Sequence, residues 1–279
     1  MAVEIGHAYA AAGAKTHLIV RNTLLSKLDA DIAETFTGVF AANHDLHTGV
    51  SIEKVHRDGN CYCVVCKTSG GETETLTADA LLVAAGIEPQ TGGLGLEKTG
   101  ITLDENGFIR VNECLETSVP GVYALGDVVG NYLYRHTANY EAKYLVQSVL
   151  TGEFSGPLQY GPVPYGIFSN PQIAGVGKTE RNLQDSNVSY VSGKALYRQS
   201  TPGMARRSEH GLVKVLVEKR TRRMLGAHIV GEEATNMVHL FIALLKFQAT
   251  IDDMLDMIFI HPALSEVAKD AAVDARRNL

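Results

Sequence analysis

Apolar positions along the chain fall into short runs of two kinds, alternating and helically spaced, separated by glycine- and proline-rich punctuation. Val3 to Ala12 is a small-residue run stopped by Gly13, which predicts a helix, and Lys15 to Val20 follows as a strand ending at Arg21. Ser51 to His56, Cys61 to Thr68 and Thr73 to Val83 are strand-like and are parted by Asp58-Gly59 and Ser69-Gly70-Gly71, the pattern of a small antiparallel meander. Leu81 to Gly86 and Val122 to Leu125 are apolar enough to be buried strands. His136-Thr137-Ala138-Asn139 opens a helix running to about Leu150. From about Gly161 onward the pattern is α+β. Strands are expected near Tyr165 to Phe168, Tyr190 to Leu196, Gly211 to Glu218 and Met224 to Val230, and helices at Glu232 to Gln248, Ile251 to Met257 and Ala263 to Ala275. Alternating Val213, Val215 and Val217 predict a half-buried strand, and Thr250 ahead of Asp252 and Asp253 predicts a capped helix start.

With 279 residues and 45% apolar content the chain can bury a sizeable core and divide into one to three domains. A net charge of -6 argues against a nucleic-acid surface, so the basic run Lys219 to Arg223 is read as a solvated hairpin turn. No apolar span of about eighteen residues and no signal peptide is evident, which leads us to expect a cytoplasmic protein without membrane contact. Four cysteines are too few for a disulfide scaffold. On a strand, Cys61 and Cys63 share one face while Cys66 points to the other, and no fourth ligand accompanies them; structural thiols, and no metal site, are expected.

Three positions suggest chemistry. In Ile260-His261-Pro262-Ala263-Leu264-Ser265-Glu266-Val267, Pro262 holds His261 in an extended conformation just ahead of a helix, and Glu266 falls in the first turn, within reach of the imidazole. Such a pair can transfer protons, although a helix start with a capping or packing histidine would show the same spacing. In Thr117 to Asp127, Pro120-Gly121 makes a turn and the apolar stretch ends in Gly126-Asp127. Gly126 would let the backbone pass close to a ligand, and Asp127 at a strand's carboxyl end could accept hydrogen bonds from sugar-like hydroxyls. Arg21, at the end of the second strand of a βαβ unit, suits a ribose 2′-phosphate and so leans toward NADP over NAD; an ordinary solvated charge is equally compatible.

Ala2-Val3-Glu4 with its helix, Leu81 to Gly86, Gly126-Asp127, Phe168-Ser169-Asn170-Pro171-Gln172-Ile173-Ala174-Gly175-Val176-Gly177, and His261-Pro262 to Glu266 occur in that order over essentially the whole chain. This set resembles the carboxyl-terminal part of a flavin-dependent pyridine nucleotide-disulfide oxidoreductase, the family of dihydrolipoamide dehydrogenase, mycothione reductase, glutathione reductase and mercuric reductase. The resemblance implies an α/β protein: a partial Rossmann-type nicotinamide domain over residues 1–88, the last part of an FAD domain over 89–157, and an α+β dimerisation domain over 158–279. It further implies FAD and NADP or NAD as cofactors, a homodimer, and a small-molecule or protein-bound disulfide or dithiol as substrate. Glu4 matches the family's glutamate near the nicotinamide ring. Gly86 matches the passage back to the flavin domain, although Ile87 stands where the family usually has arginine. The helix opened by His136 and Thr137 would point its positive end at the flavin. In intact relatives hydride passes from nicotinamide through FAD to a cysteine pair, and the residue matched by His261 serves the substrate thiol, acting on the other subunit's disulfide.

Neither of the family's glycine fingerprints is present, and Cys61 and Cys66 have the spacing of its redox pair without the flanking glycine and proline. The chain is therefore expected to be a truncated oxidoreductase or, alternatively, a non-catalytic dimerisation module.

Overall fold

In the computed structural model, residues 1–153 and 156–279 are described. Helix α1 (Ala2–Ala11) turns Val3 and Gly6 inward and stops ahead of Gly13, whose φ of 95° glycine adopts freely. Strand β1 (His17–Val20) follows. The next helix, α2 (Ala30–Asn43), is one the pattern did not announce; Asp29 caps it by accepting the Asp31 N–H, and Ile32, Phe36 and Phe40 form a fully buried stripe at helical spacing. Strand β2 (Asp45–Thr48) pairs in parallel with β1, placing His17 opposite Asp45 and Ile19 opposite His47. Strands β3 (Val50–Asp58), β4 (Cys61–Thr68) and β5 (Thr73–Ala78) make the expected antiparallel meander in the order β3-β4-β5, although β5 ends at Ala78 and not at Val83.

Leu81 to Gly86 is not a buried strand. It pairs with no strand among the described residues, and Leu81, Leu82 and Val83 are exposed, the last by 76%. Val122 to Leu125 departs from expectation in the same way: among the described residues it holds only the bridge Glu116 to Tyr123, and Val122 and Tyr123 face solvent. An apolar run becomes a central strand only where neighbouring strands satisfy its backbone on both sides. Asp127 consequently sits not at a strand end but in a 3-10 turn, Gly126–Val129. Helix α3 (Arg135–Leu145) continues as a π-helical turn through Val146–Leu150, so the helix reaches its expected end.

The remaining segment is a five-stranded antiparallel sheet in the order β6-β7-β10-β9-β8. Its elements are β6 (Pro164–Ile167), β7 (Ile173–Gly177), α4 (Glu180–Asp185), β8 (Tyr190–Leu196), α5 (Thr201–Ala205), β9 (Leu212–Glu218), β10 (Met224–Val230), α6 (Ala234–Lys246), α7 (Ile251–Leu255) and α8 (Ser265–Arg277). Strand β7 and the short helices α4 and α5, capped by Thr179 and Ser200, add to the expected elements. Val213, Val215 and Val217 pack into one core with Val238, Phe241, Met254, Val267 and Ala271 from the last helices. Strand β9 is nonetheless buried on both faces, not one, because Leu212 joins Ile32, Phe36 and Phe40 of α2 in a second core. Helix α8 lies directly on β8: a Cβ at Gly193 would stand 2.2 Å from the Ala271 carbonyl oxygen, so only glycine admits the alanine-lined helix so close.

The second face of β9 also holds Lys214, fully buried, whose ammonium donates to Asp29 (2.8 Å), to Asp31 and to Glu180 (2.5 Å). Burial by itself would push this lysine down, but the three carboxylates carry it well above its ordinary value. Met1–Ala84 and Pro164–Leu279 form one compact unit, and Ala85–Val163 a second.

Candidate functional site

Helix α8 begins at Ser265, two residues later than the pattern suggests, because the Glu266 carboxylate takes up the Ala263 N–H at 3.0 Å and caps its own helix. The same carboxylate lies 2.9 and 3.1 Å from His261 Nδ1. A carboxylate only accepts, so Nδ1 carries the proton and Nε2 is left as the basic nitrogen. The Ala263 N–H and then the imidazole hold Glu266 below the usual carboxylate range. The His261 side chain is 68% exposed, and Nε2 has no partner among the described residues. Sequence spacing thus led to a pair that does meet, with one face of the ring anchored and the other open.

In the second unit, Gly126 has a φ of 76° and its N–H donates to Glu141 at 2.6 Å. Glu141 is fully buried on α3, and its other oxygen accepts the Tyr160 hydroxyl at 2.5 Å. Burial, then Glu141, push the Tyr160 phenol up, keeping the proton on the donor. This network fixes the 3-10 turn against α3 and leaves the Asp127 carboxylate exposed, with no hydrogen bond among the described residues. Thr137 lies inside the first turn of α3, whose N-cap position is Tyr134. It is buried, and its hydroxyl donates back to the Tyr134 carbonyl at 2.7 Å, while His136 beside it is exposed. Gly86 lies exposed with a φ of 145°.

Residues 1–142 match the family model described as pyridine nucleotide-disulphide oxidoreductase, and residues 163–272 match that of its dimerisation domain. The chain belongs to the pyridine nucleotide-disulphide oxidoreductase family. It is 32% identical over 278 residues to the mitochondrial dihydrolipoyl dehydrogenase of Dictyostelium discoideum, covering 98% of this chain and 57% of that one. The mitochondrial dihydrolipoyl dehydrogenase of Canis lupus familiaris is 34% identical over 251 residues, 89% of this chain and 49% of its own. The chain therefore spans about half the length of these relatives. Among solved structures, the flavoprotein disulfide reductase RclA from Escherichia coli superposes with a TM-score of 0.87 at 25% identity, covering 97% of this chain and 62% of that one. LpdA from Mycobacterium tuberculosis gives 0.86 at 24% identity, covering 99% and 59%, a likeness of fold. No helix among the described residues is long and apolar enough to cross a membrane.

Members of this oxidoreductase family use FAD and a nicotinamide nucleotide. Of the residues matched to the nicotinamide side, Glu4 is engaged structurally: its carboxylate accepts the Phe168 N–H at 3.1 Å and pairs with the amino terminus at 2.7 Å. Burial raises its proton affinity, but these contacts outweigh it and hold the group low. Arg21 stands exposed at the end of β1, in no ion pair among the described residues. Neither residue is hydrogen-bonded to His261 or Glu266 among the described residues. Sequence reasoning overlooked Glu141 and Tyr160; a single glutamate in a helix and a tyrosine in a loop carry no spacing that announces a buried network. The four cysteines are unpaired, with Cys61 and Cys66 on opposite faces of β4.

Proposed function

We propose that this chain supplies the carboxyl-terminal half of a flavin-dependent disulfide oxidoreductase, with His261 as the acid-base group of thiol-disulfide exchange. The observation that carries the reading is the His261 ring, bound through Nδ1 to Glu266 and open at Nε2. Nε2 takes the proton from a substrate thiol, and the thiolate attacks one sulfur of a disulfide, forming a mixed disulfide as the other sulfur leaves as a thiolate; the Glu266 carboxylate offsets the imidazolium charge that results. On reversal the same nitrogen returns the proton to the departing thiolate.

Residues 1–88, 89–157 and 158–279 then serve as nicotinamide, flavin and dimerisation segments. FAD, when bound, would supply the two-electron link between nicotinamide and disulfide. The residues here fit one wall of its site: Asp127 offers two unengaged oxygens to cofactor hydroxyls, Gly126 and Gly86 admit close backbone approach, and the amino end of α3, at His136 and Thr137, favours negative charge. Arg21 takes a 2′-phosphate, which selects NADP over NAD, and Glu4 holds the nicotinamide end through α1. Phe247, Ile258 and Ile260 are exposed, Ile258 completely, and give a second copy of the chain an apolar surface to cover, which supports a homodimer.

The test is a chimera in which a full-length dihydrolipoyl dehydrogenase provides the preceding residues. His261→Ala should lower dithiol turnover by about a hundred- to ten-thousand-fold, while reduction of the flavin by the nicotinamide in a single turnover stays near the parent rate. Unchanged dithiol turnover in that variant would make His261 a structural residue.

A further inference from the structure

The parallel pairing of β1 and β2 has a chemical consequence away from the oxidoreductase residues. Strand side chains alternate between faces, and the register places His17 opposite Asp45 and Ile19 opposite His47, so His17, Asp45 and His47 share one face. His17 Nδ1 lies 2.7 Å from Asp45 Oδ2, and His47 Nε2 lies 3.2 Å from Asp45 Oδ1. Neither ring nitrogen is aligned for a hydrogen bond, and both are buried atoms without a hydrogen-bond partner. Two imidazole nitrogens and a carboxylate thus converge within 4.8 Å of one another, their lone pairs otherwise unused. No lysine or arginine forms an ion pair with Asp45 among the described residues, so no protein cation competes for this carboxylate.

We propose that His17, Asp45 and His47 bind a divalent first-row transition-metal ion of the zinc class, tying the short strand β2 to β1. Ligand atoms about 2.1 Å from one ion, at angles between octahedral and tetrahedral, stand about 3.0–3.4 Å apart; the two histidine-to-carboxylate contacts here are 2.7 and 3.2 Å, and the three ligand atoms lie within 4.8 Å of one another. The ligand set of two imidazoles and one carboxylate suits zinc, nickel, copper or ferrous iron and is a poor match for calcium or magnesium. Glu74, on β5, lies 3.5 Å from His47 Nδ1, on the far side of the ring from the site. An outer carboxylate at that nitrogen holds the proton there and leaves Nε2 as the metal ligand. Asp45 is half exposed, which leaves room for water to complete the shell.

The experiment uses the whole chain, stripped with EDTA and titrated with Zn2+ against a chromophoric chelator, with far-UV circular dichroism to confirm that each variant is folded. One equivalent of Zn2+ should bind. Asp45→Asn and His47→Ala should each weaken binding by at least about tenfold, and Glu74→Gln, which removes no ligand, by roughly ten- to a hundredfold. Where a ligand variant does not fold, Co2+ bound to the parent chain decides: ligand-field bands without a sulfur-to-cobalt charge-transfer band support the proposal. No Zn2+ uptake, uptake undiminished in the folded variants, or a cobalt-thiolate band from the cysteines would each overturn it.

Discussion

The two compact units treat apolar residues in opposite ways. In the first, Phe36, Phe40, Val213, Val215, Ile229 and Phe241 are fully buried in two cores on either side of one sheet. In the second, Ile109, Leu115, Val129 and Tyr144 are buried without joining a cluster, while Val122, Tyr123, Leu133, Tyr134 and Tyr140 are exposed. What shapes the second unit is turn chemistry. Asp104 accepts the Asn106 and Phe108 N–H groups, Asn112 accepts those of Cys114 and Glu116, and Glu141 joins Gly126 to Tyr160. Each such bond contributes about 0.5–1.5 kcal/mol net, whereas each fully buried large side chain contributes about 1.5–3 kcal/mol. The sheet unit is therefore expected to be the stable one, and the turn unit to depend on whatever covers its apolar residues.

Amide hydrogen exchange tests this contrast most directly and should show the largest effect. Global stabilities of about 5–15 kcal/mol protect core strands, whereas amides without stable bonds exchange almost freely. Val213 to Val217 should therefore exchange at least about a thousandfold more slowly than Tyr123 and Leu125 of the second unit, whose N–H groups donate no backbone hydrogen bond among the described residues. Similar protection in the two regions would break the comparison.

Substitution at a fully buried ionisable group in each unit sharpens it. Lys214→Met leaves Asp29, Asp31 and Glu180 converging without their cation, a loss of about 3–5 kcal/mol on removing one partner of a buried ion network. Glu141→Gln keeps the shape but weakens two hydrogen bonds to a charged acceptor, for about 1–3 kcal/mol confined to the second unit. Urea unfolding followed by probes in each unit measures both. A Lys214→Met protein as stable as the parent would show that the three carboxylates find other partners.

These residues also mark how far the sequence could be read. The family motifs were legible, and so was the His261 to Glu266 contact, because five positions across a proline and one helical turn leave little geometric freedom. The meander was legible from its Asp58-Gly59 and Ser69-Gly70-Gly71 turns, and the last strands and helices because each buries a face that its own pattern displays. Lys214 was not: in an alternating strand it occupies the polar position, and only α2, with an apolar stripe one residue wide, turns that position into a core. Leu81 to Gly86 failed for the converse reason, since apolar content states what a segment would bury and not whether a sheet is there to bury it. His17, Asp45 and His47 depend on a parallel register between segments far apart in sequence, which no local pattern encodes.

The smallest expected effect is a pH dependence set by one buried group of the sheet unit. His228 lies fully buried in β10; Nε2–H donates to the Lys178 carbonyl at 2.9 Å, and the Tyr165 hydroxyl lies 3.2 Å from Nδ1. Burial pushes the imidazole below its ordinary value of 6.5, more than the Lys178 carbonyl raises it. The folded protein thus keeps this ring neutral while the unfolded chain protonates it. Its stabilising contribution is complete above pH 6.5 and is lost as pH falls from there toward the folded value, because the unfolded state then binds more protons. One such group changes stability by at most about 1.4 kcal/mol per pH unit. The second unit contains one histidine, His136, which is exposed, so His228 is the buried imidazole to test. His228→Gln, which cannot titrate, should therefore show a smaller fall in the urea midpoint of the sheet between pH 7.5 and pH 5.5 than the parent. An equal fall in parent and variant would assign the acid sensitivity to other groups and leave His228 as packing alone.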